Sequence, residues 1–320
     1  AKLFNAVHKA QVSWKRIKPL LTKQEEIPKS EKNVSRILEN GKVEKIENVS
    51  AKHAEETLSQ RELSQLEIAQ SEIRYRNVKQ LQVRHLNFAY PDGKQILKDI
   101  SFKAEKGQII GITGPVACGK STLGKVFLCE YPYEGQILVD GKELQNMPPS
   151  WQTNIIGYLG HDPELFNDSV ENNVLMGEQK KTEDFLKMVC MAEEVNEMDD
   201  GLQTLVGNGG VRLSGGQGKR LALARTLCHK KPVLVLDDPF SALDKSTERQ
   251  IFANLKQQTK DNIVFLISHR LYLFHQMNQV IWMEDGKTVV GTHEELLVKV
   301  PEYKKLFTEE GGAESEDRQK

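Results

Sequence analysis

Gln108-Ile109-Ile110-Gly111-Ile112 leads into Thr113-Gly114-Pro115-Val116-Ala117-Cys118-Gly119-Lys120-Ser121-Thr122. The first five residues are a short apolar run that reads as a buried strand. The segment from Gly114 to Ser121 matches Gly-x-x-x-x-Gly-Lys-[Ser/Thr], and residues 121–127 read as a helix after it. Strand, glycine loop and helix together are the context a phosphate-cradling loop requires. Glycines let backbone amides approach phosphate oxygens with no Cβ in the way. The helix start adds partial positive charge. Lys120 is placed to reach β- and γ-phosphates, and the Ser121 hydroxyl can ligate Mg2+.

Working outward, Val233-Leu234-Val235-Leu236-Asp237 reads as a second buried strand that ends in a carboxylate. A phosphate-loop protein presents an acid to Mg2+ in this way. Residues 263–267 give a third buried strand. Residues 280–283 and 288–290 pair as a late hairpin about Asp285-Gly286. Upstream, residues 81–86 alternate and 96–102 extend, with the turn Pro91-Asp92-Gly93 between them. Strands alternating with helices predict an α/β fold with a parallel-rich core.

The 320 residues leave room for about two domains. A hydrophobic content of 38%, 28% charged residues and a net charge of -1 describe an ordinary globular chain, with no global drive toward nucleic acid. Mean hydropathy is -0.50, on the polar side. No stretch approaches the roughly 18–20 apolar residues of a membrane helix. Cys118, Cys129, Cys190 and Cys228 form no Cys-x-x-Cys pair, so reduced thiols in a cytosolic setting are expected. The chain lacks an initiator Met and a secretory pattern, and is expected to be a piece of something longer. Residues 1–21 mix basic and apolar positions at helical spacing, and residues 22–80 read as a charged, partly helical or disordered linker, with helix around 51–71.

Leu213-Ser214-Gly215-Gly216-Gln217 lies between the phosphate loop and the acidic strand. In that position it resembles the signature of ABC-type ATPases, and the resemblance extends over residues 81–307. Tyr90 stands where the family stacks an aromatic ring on adenine. Ser241-Ala242-Leu243-Asp244 resembles the D-loop, and His269 in Ile267-Ser268-His269-Arg270 resembles the switch histidine at the γ-phosphate. The resemblance implies an ABC-type P-loop core over residues 81–310, with an antiparallel β subdomain and a helical signature subdomain, before a polar tail at 311–320. It implies ATP and Mg2+ as ligands. It also implies two such domains stacked head to tail, so that Ser214, Gly215, Gly216 and Gln217 serve a nucleotide held by the partner, and it counts Asp244 among the nucleotide-binding residues. Ser-Gly-Gly at a helix start suits an anion. Val12-Ser13-Trp14-Lys15-Arg16-Ile17 resembles the cytoplasmic end of the last transmembrane helix of ABC exporters, which implies a membrane domain in the same transporter and a place at the cytoplasmic face of the membrane.

Two positions depart from the family pattern. Asp238 follows Asp237 where the family carries Glu, the general base for the attacking water. Asp is one methylene shorter, so its carboxylate falls roughly 1–1.5 Å back. His161, in Gly160-His161-Asp162-Pro163, stands where a Gln touches Mg2+ and water. Both changes surround the same γ-phosphate, while Lys120, His269 and the signature keep the pattern. The expectation is a site that binds ATP and turns it over slowly, in the degenerate half of a heterodimeric exporter. A third departure is Asn208, where exporters usually carry Glu. Cys118 sits near Lys120 and a helix start, which favours thiolate. His85, His229, His275 and His293, like His8 and His53, show no constellation. The competing readings are a soluble ABC ATPase unconnected to transport, and a regulatory module that holds ATP to stabilise a dimer.

Overall fold

A computed structural model describes residues 77–309, apart from 92 and 208–209. The segments expected at 1–21 and 51–71, the linker through residue 76, Asp92, Asn208, His8, His53 and the tail at 311–320 lie outside the described residues.

The described region opens with strands β1 (Gln80–Ala89) and β2 (Gln95–Glu105). Strand β3 (Ile109–Thr113) feeds the glycine loop and helix α1 (Lys120–Val126). Next come β4 (Glu134–Val139), β5 (Lys142–Glu143), α2 (Pro149–Ile155) and β6 (Ile156–Leu159). A helical middle follows: β7 (Asp168–Ser169), α3 (Val170–Leu175), α4 (Thr182–Met188), α5 (Ala192–Asn196), β8 (Leu205–Val206) and α6 (Gly215–Cys228). The last part holds β9 (Val233–Asp237), α7 (Lys245–Gln258), β10 (Ile263–Ile267), β11 (Gln279–Glu284), β12 (Lys287–Gly291), α8 (His293–Lys299) and α9 (Pro301–Glu309).

The main sheet has six strands in the order β12-β11-β3-β10-β9-β6. All its pairings are parallel except the β11–β12 hairpin. Every residue of β3, β9 and β10 is buried, because helices or strands cover both faces of a parallel sheet. Period-two alternation sorts these residues between two cores. Leu234, Leu236, Val264 and Leu266 face α6, α7 and the C-terminal helices. Val233, Val235, Phe265 and Ile267 face α1 and the second sheet. That second sheet is antiparallel, in the order β2-β1-β4-β5, as the β subdomain was expected to be.

Sheet order decides where the chemistry goes. In the parallel ladders Ile112 pairs with Ile267, Ile267 with Asp237, and Leu236 with Leu159. The carboxyl ends of β3, β10, β9 and β6 therefore share one edge, where ligands of open α/β sheets bind. The glycine loop, Ser268-His269, Asp238 and Gly160-His161 all leave from that edge. Among the described residues no helix is long and apolar enough to cross a membrane.

Candidate nucleotide site

The loop after β3 wraps around a lysine. Lys120 Nζ donates to the carbonyls of Gly114 at 2.9 Å and Pro115 at 2.7 Å, so its ammonium lies inside the loop. Gly114 has φ +148, and a Cβ there would fall 2.0 Å from the Met283 carbonyl oxygen. Only glycine fits that close approach. Gly119 caps α1 at φ 106, again in the left-handed region. Val116 is fully on the surface, whereas Ala117 takes φ 63 in the bend of the loop.

Cys118 corrects one expectation. Its Sγ lies 3.7 Å from Lys120 Nζ, as the sequence implied. Burial nevertheless outweighs the ammonium and pushes the thiol up rather than toward thiolate.

The acidic strand delivers two carboxylates to different places. Asp237 ends β9 at 3% exposure and accepts a hydrogen bond from the Tyr158 hydroxyl at 3.2 Å. Asp238 has φ 51, and its N–H donates to the Ile267 carbonyl at 2.9 Å. This left-handed turn redirects its side chain, one oxygen of which lies 3.6 Å from His161 Nδ1. Asp238 is 15% exposed and His161 55% exposed, so the pair stands at the mouth of the site. His269 shares that neighbourhood. Burial lowers its pKa first, and the Lys120 charge lowers it further against the pull of Asp238 and Asp237. The ring is therefore neutral at neutral pH, able to donate from one nitrogen and accept at the other. Four separate loops thus meet: the glycine loop, Asp237-Asp238, His161 and His269.

Tyr90 lies at the end of β1, half-buried, with edge-to-face contacts to Phe88 at 5.0 Å and Tyr131 at 5.6 Å. The packing leaves Tyr131 exposed beside it, an open aromatic platform.

Ser214 to Gln217 sit elsewhere, at the start of α6. Ser214 Oγ accepts from Gln217 N at 3.2 Å, and Gln217 Oε1 accepts from Ser214 N at 2.9 Å, a capping box. Gln217 Nε2 donates to Glu194, which also holds Arg220 through two bonds at 2.6 and 2.9 Å. Both ends of the Gln217 carboxamide are thus taken up inside its own helical subdomain, whereas Gly215 is open to solvent. Gly216 lies against the Ala242 carbonyl, with room for a Cβ only at 3.0 Å. No hydrogen bond among the described residues joins this segment to the glycine loop. Asp244 caps α7, accepting from the N–H groups of Ser246 at 2.9 Å and Thr247 at 3.0 Å. The Thr247 hydroxyl donates to its other oxygen at 2.6 Å, and that bond first, then the N–H bonds, hold the carboxyl below the usual range.

Comparison with known proteins decides the family. The ABC transporter family matches residues 97–241. The probable multidrug resistance ABC transporter ATP-binding/permease protein YheI of Bacillus subtilis is 37% identical, over 72% of this chain and 42% of its own length. The ATP-dependent lipid A-core flippase of Salmonella paratyphi A is 35% identical, over 71% of this chain and 40% of its own length. Among solved structures, a bacterial Atm1-family ABC exporter with ATP bound superposes with a TM-score of 0.70 at 28% identity, over 74% of this chain and 43% of that one. This chain carries the ATPase domain of an ABC transporter. It spans about two fifths of the length of the curated relatives it matches. Membership in the family implies binding and hydrolysis of ATP.

The ABC ATPase domain also shows residues that the motifs did not single out. Arg225 of α6 reaches back to the loop after His161. It donates to the Glu164 carbonyl at 3.0 Å, to the Asn173 carbonyl at 2.8 Å and to the Asn173 side chain at 2.7 Å, and lies over the Phe166 ring. Arg270 donates to the Leu243 carbonyl at 2.9 Å and to Glu248 at 2.6 Å, tying the segment after His269 to the D-loop. Glu248 is wholly buried and its pKa is raised, first by burial. Arg225 lies eight residues beyond the signature and Arg270 directly after His269, but their partners lie 22 to 61 residues away and carry no periodic signal. Of the histidines outside the site, His85 pairs with Asp99 on the surface, His229 meets the Val174 carbonyl and buried His293 packs with Tyr303.

Proposed function

We propose that this chain is the nucleotide-binding part of an ABC exporter subunit that binds Mg-ATP and hydrolyses it slowly at its own phosphate loop. The observation that carries this reading is the His161–Asp238 pair, 3.6 Å apart, in place of the family's Gln and Glu. A general base works by hydrogen-bond reach, and a shift of about 1 Å can cost ~100-fold in rate. In this reading Gly114, Pro115, Val116, Ala117, Cys118, Gly119, Lys120, Ser121 and Thr122 cradle the phosphates, and Tyr90 stacks on adenine. Asp238 is a weak base, and neutral His269 positions the γ-phosphate and water.

The residues fit a magnesium ion bound together with nucleotide. Asp237 offers a buried carboxylate beside the helix that begins with Lys120-Ser121. Among the described residues no group of three or more His, Cys, Asp or Glu side chains could hold a metal alone. That suits Mg2+, which keeps waters and takes phosphate oxygens with only one or two carboxylates. Ser121 and Asp237 would hold the ion, with His161 near it. The ion would supply charge neutralisation between the β- and γ-phosphates.

The same reading assigns the partners. Ser214, Gly215 and Gly216 complete the site of a second, non-identical ATPase subunit, with Gln217 holding that segment in shape and Asp244 close to the contact. A membrane domain of the same transporter docks where Phe166, Leu205 and Val211 expose 50%, 59% and 52% of their surface. These three are brought together by the β7–β8 pairing and by the Val211 N–H bond to the Leu205 carbonyl. The complex works at the cytoplasmic face of a membrane, where closure and opening of the ATP sandwich lever the transport path. The names of the relatives, a multidrug transporter and a lipid flippase, support export as the direction.

The test measures Mg-ATP binding and steady-state turnover of the purified chain over a range of concentrations that spans dimerisation. Saturable binding with turnover near background at every concentration is expected. Brisk turnover that rises with self-association would overturn the degenerate-site reading in favour of a homodimer.

A further inference from the structure

We propose that Tyr158 is a positioning residue that aims the Asp237 carboxylate at a divalent cation. The inference rests on the reading that Asp237, with Ser121, holds Mg2+. Tyr158 lies on β6 and Asp237 ends β9, 79 residues later in sequence. The parallel ladder pairs Tyr158 with Val235, so its hydroxyl reaches along β9 to Asp237 Oδ2 at 3.2 Å. A carboxylate buried this deeply needs donors. Among the described residues the Tyr158 hydroxyl is its only hydrogen-bond donor. A carboxylate offers about four lone-pair sites on two oxygens. The phenol takes one on Oδ2 and so fixes the plane of the group, leaving Oδ1 for the cation.

The ring itself is held by the phosphate-binding helix. A Cβ on Gly124 of α1 would lie 3.3 Å from Tyr158 Cε2, 2.9 Å from Val235 and 3.2 Å from Ile267. Gly124 thus lets the ring seat on the helix that begins with Lys120 and Ser121. Three residues further along the same strand and loop stands His161. Tyr158 therefore joins α1, the cation carboxylate and the His161 loop in one rigid contact.

The experiment compares the full chain with Tyr158→Phe and Asp237→Asn. Phe keeps the ring on Gly124 and removes only the hydroxyl. A fluorescent ATP analogue reports binding, first with chelator and then along a Mg2+ titration. For Tyr158→Phe the chelator affinity should stay within about twofold of wild type, and the Mg2+ midpoint should rise roughly 3- to 10-fold, the scale of one lost hydrogen bond. An unchanged Mg2+ midpoint overturns the proposal. So does an equal loss with and without Mg2+, which would mark a purely structural residue. Asp237→Asn separates the two readings. It should abolish the Mg2+ enhancement, and if wild-type Mg2+ dependence survives, the cation assignment of Asp237 itself falls, whatever Tyr158→Phe does.

Discussion

Replacing Asp238 by Glu moves a carboxylate along a fixed track. The Asp238 N–H is anchored on the Ile267 carbonyl at 2.9 Å and the residue is bent to φ 51, so the main chain does not creep forward. One added methylene carries the carboxylate roughly 1.5 Å further out. His161 Nδ1 already lies 3.6 Å from the shorter side chain, so a longer one meets the imidazole and is turned aside. Exchange of His161 for Gln removes that obstacle. Since a 1 Å misplacement costs on the order of 100-fold, or about 2.7 kcal/mol in the barrier, the double variant should gain up to ~100-fold in kcat. Asp238→Glu alone should gain about tenfold, and His161→Gln alone little, because the two side chains share one space and their effects do not add. KM for ATP should hold, since the phosphate loop is untouched. Glu tolerates the left-handed turn less well than Asp, so ~1 kcal/mol of stability should be lost as well. The assay is phosphate release at saturating Mg-ATP, with kcat and KM resolved and the fold followed by thermal melting. A wild-type chain as fast as the double variant would refute the reasoning.

Arg270→Met should destabilise the domain by about 3 kcal/mol in denaturant unfolding at pH 7, because it strands the buried Glu248 carboxylate. Burial already raises the Glu248 pKa in the fold, so the folded chain binds that proton more tightly than the unfolded chain does. The deficit should therefore shrink as pH falls through the raised folded value toward that of an unfolded carboxyl, and a deficit independent of pH would contradict this. Cys118 should react with a maleimide no faster than a free thiol at pH 7, since burial raises its pKa, and bound ATP should protect it; alkylation that leaves ATP binding intact would displace the thiol from the site. Gly114→Ala should abolish ATP binding in calorimetry, because its methyl has only 2.0 Å to the Met283 carbonyl and that main chain has no way to yield.

The sequence was most legible where one local rule decides the outcome. The apolar runs at 109–112, 233–236 and 263–267 could only be buried on both faces, and they are strands of the main sheet. The glycine spacing from Gly114 to Gly119 fixed a loop that needs positive φ. The signature at Ser214 opened a helix as its Ser-x-x-Gln capping box demands, and the same box ties the Gln217 carboxamide to the Ser214 N–H. The thiol of Cys118 departs from its local sequence, because the nearby Lys120 charge favours thiolate while the folded loop buries the group and outweighs it.

By itself, then, the sequence determined the element types, the two-faced burial of the central strands and the chemistry of each loop, since all of these follow from neighbours within a few residues. Tertiary structure alone decided the strand order β3-β10-β9-β6, and with it which loops meet. Alternation with period two says which side chains share a face, but nothing about which strand lies beside which. Only pairing across the sheet set Tyr158 on Asp237 and His161 beside Asp238, and so determined what each carboxylate can reach.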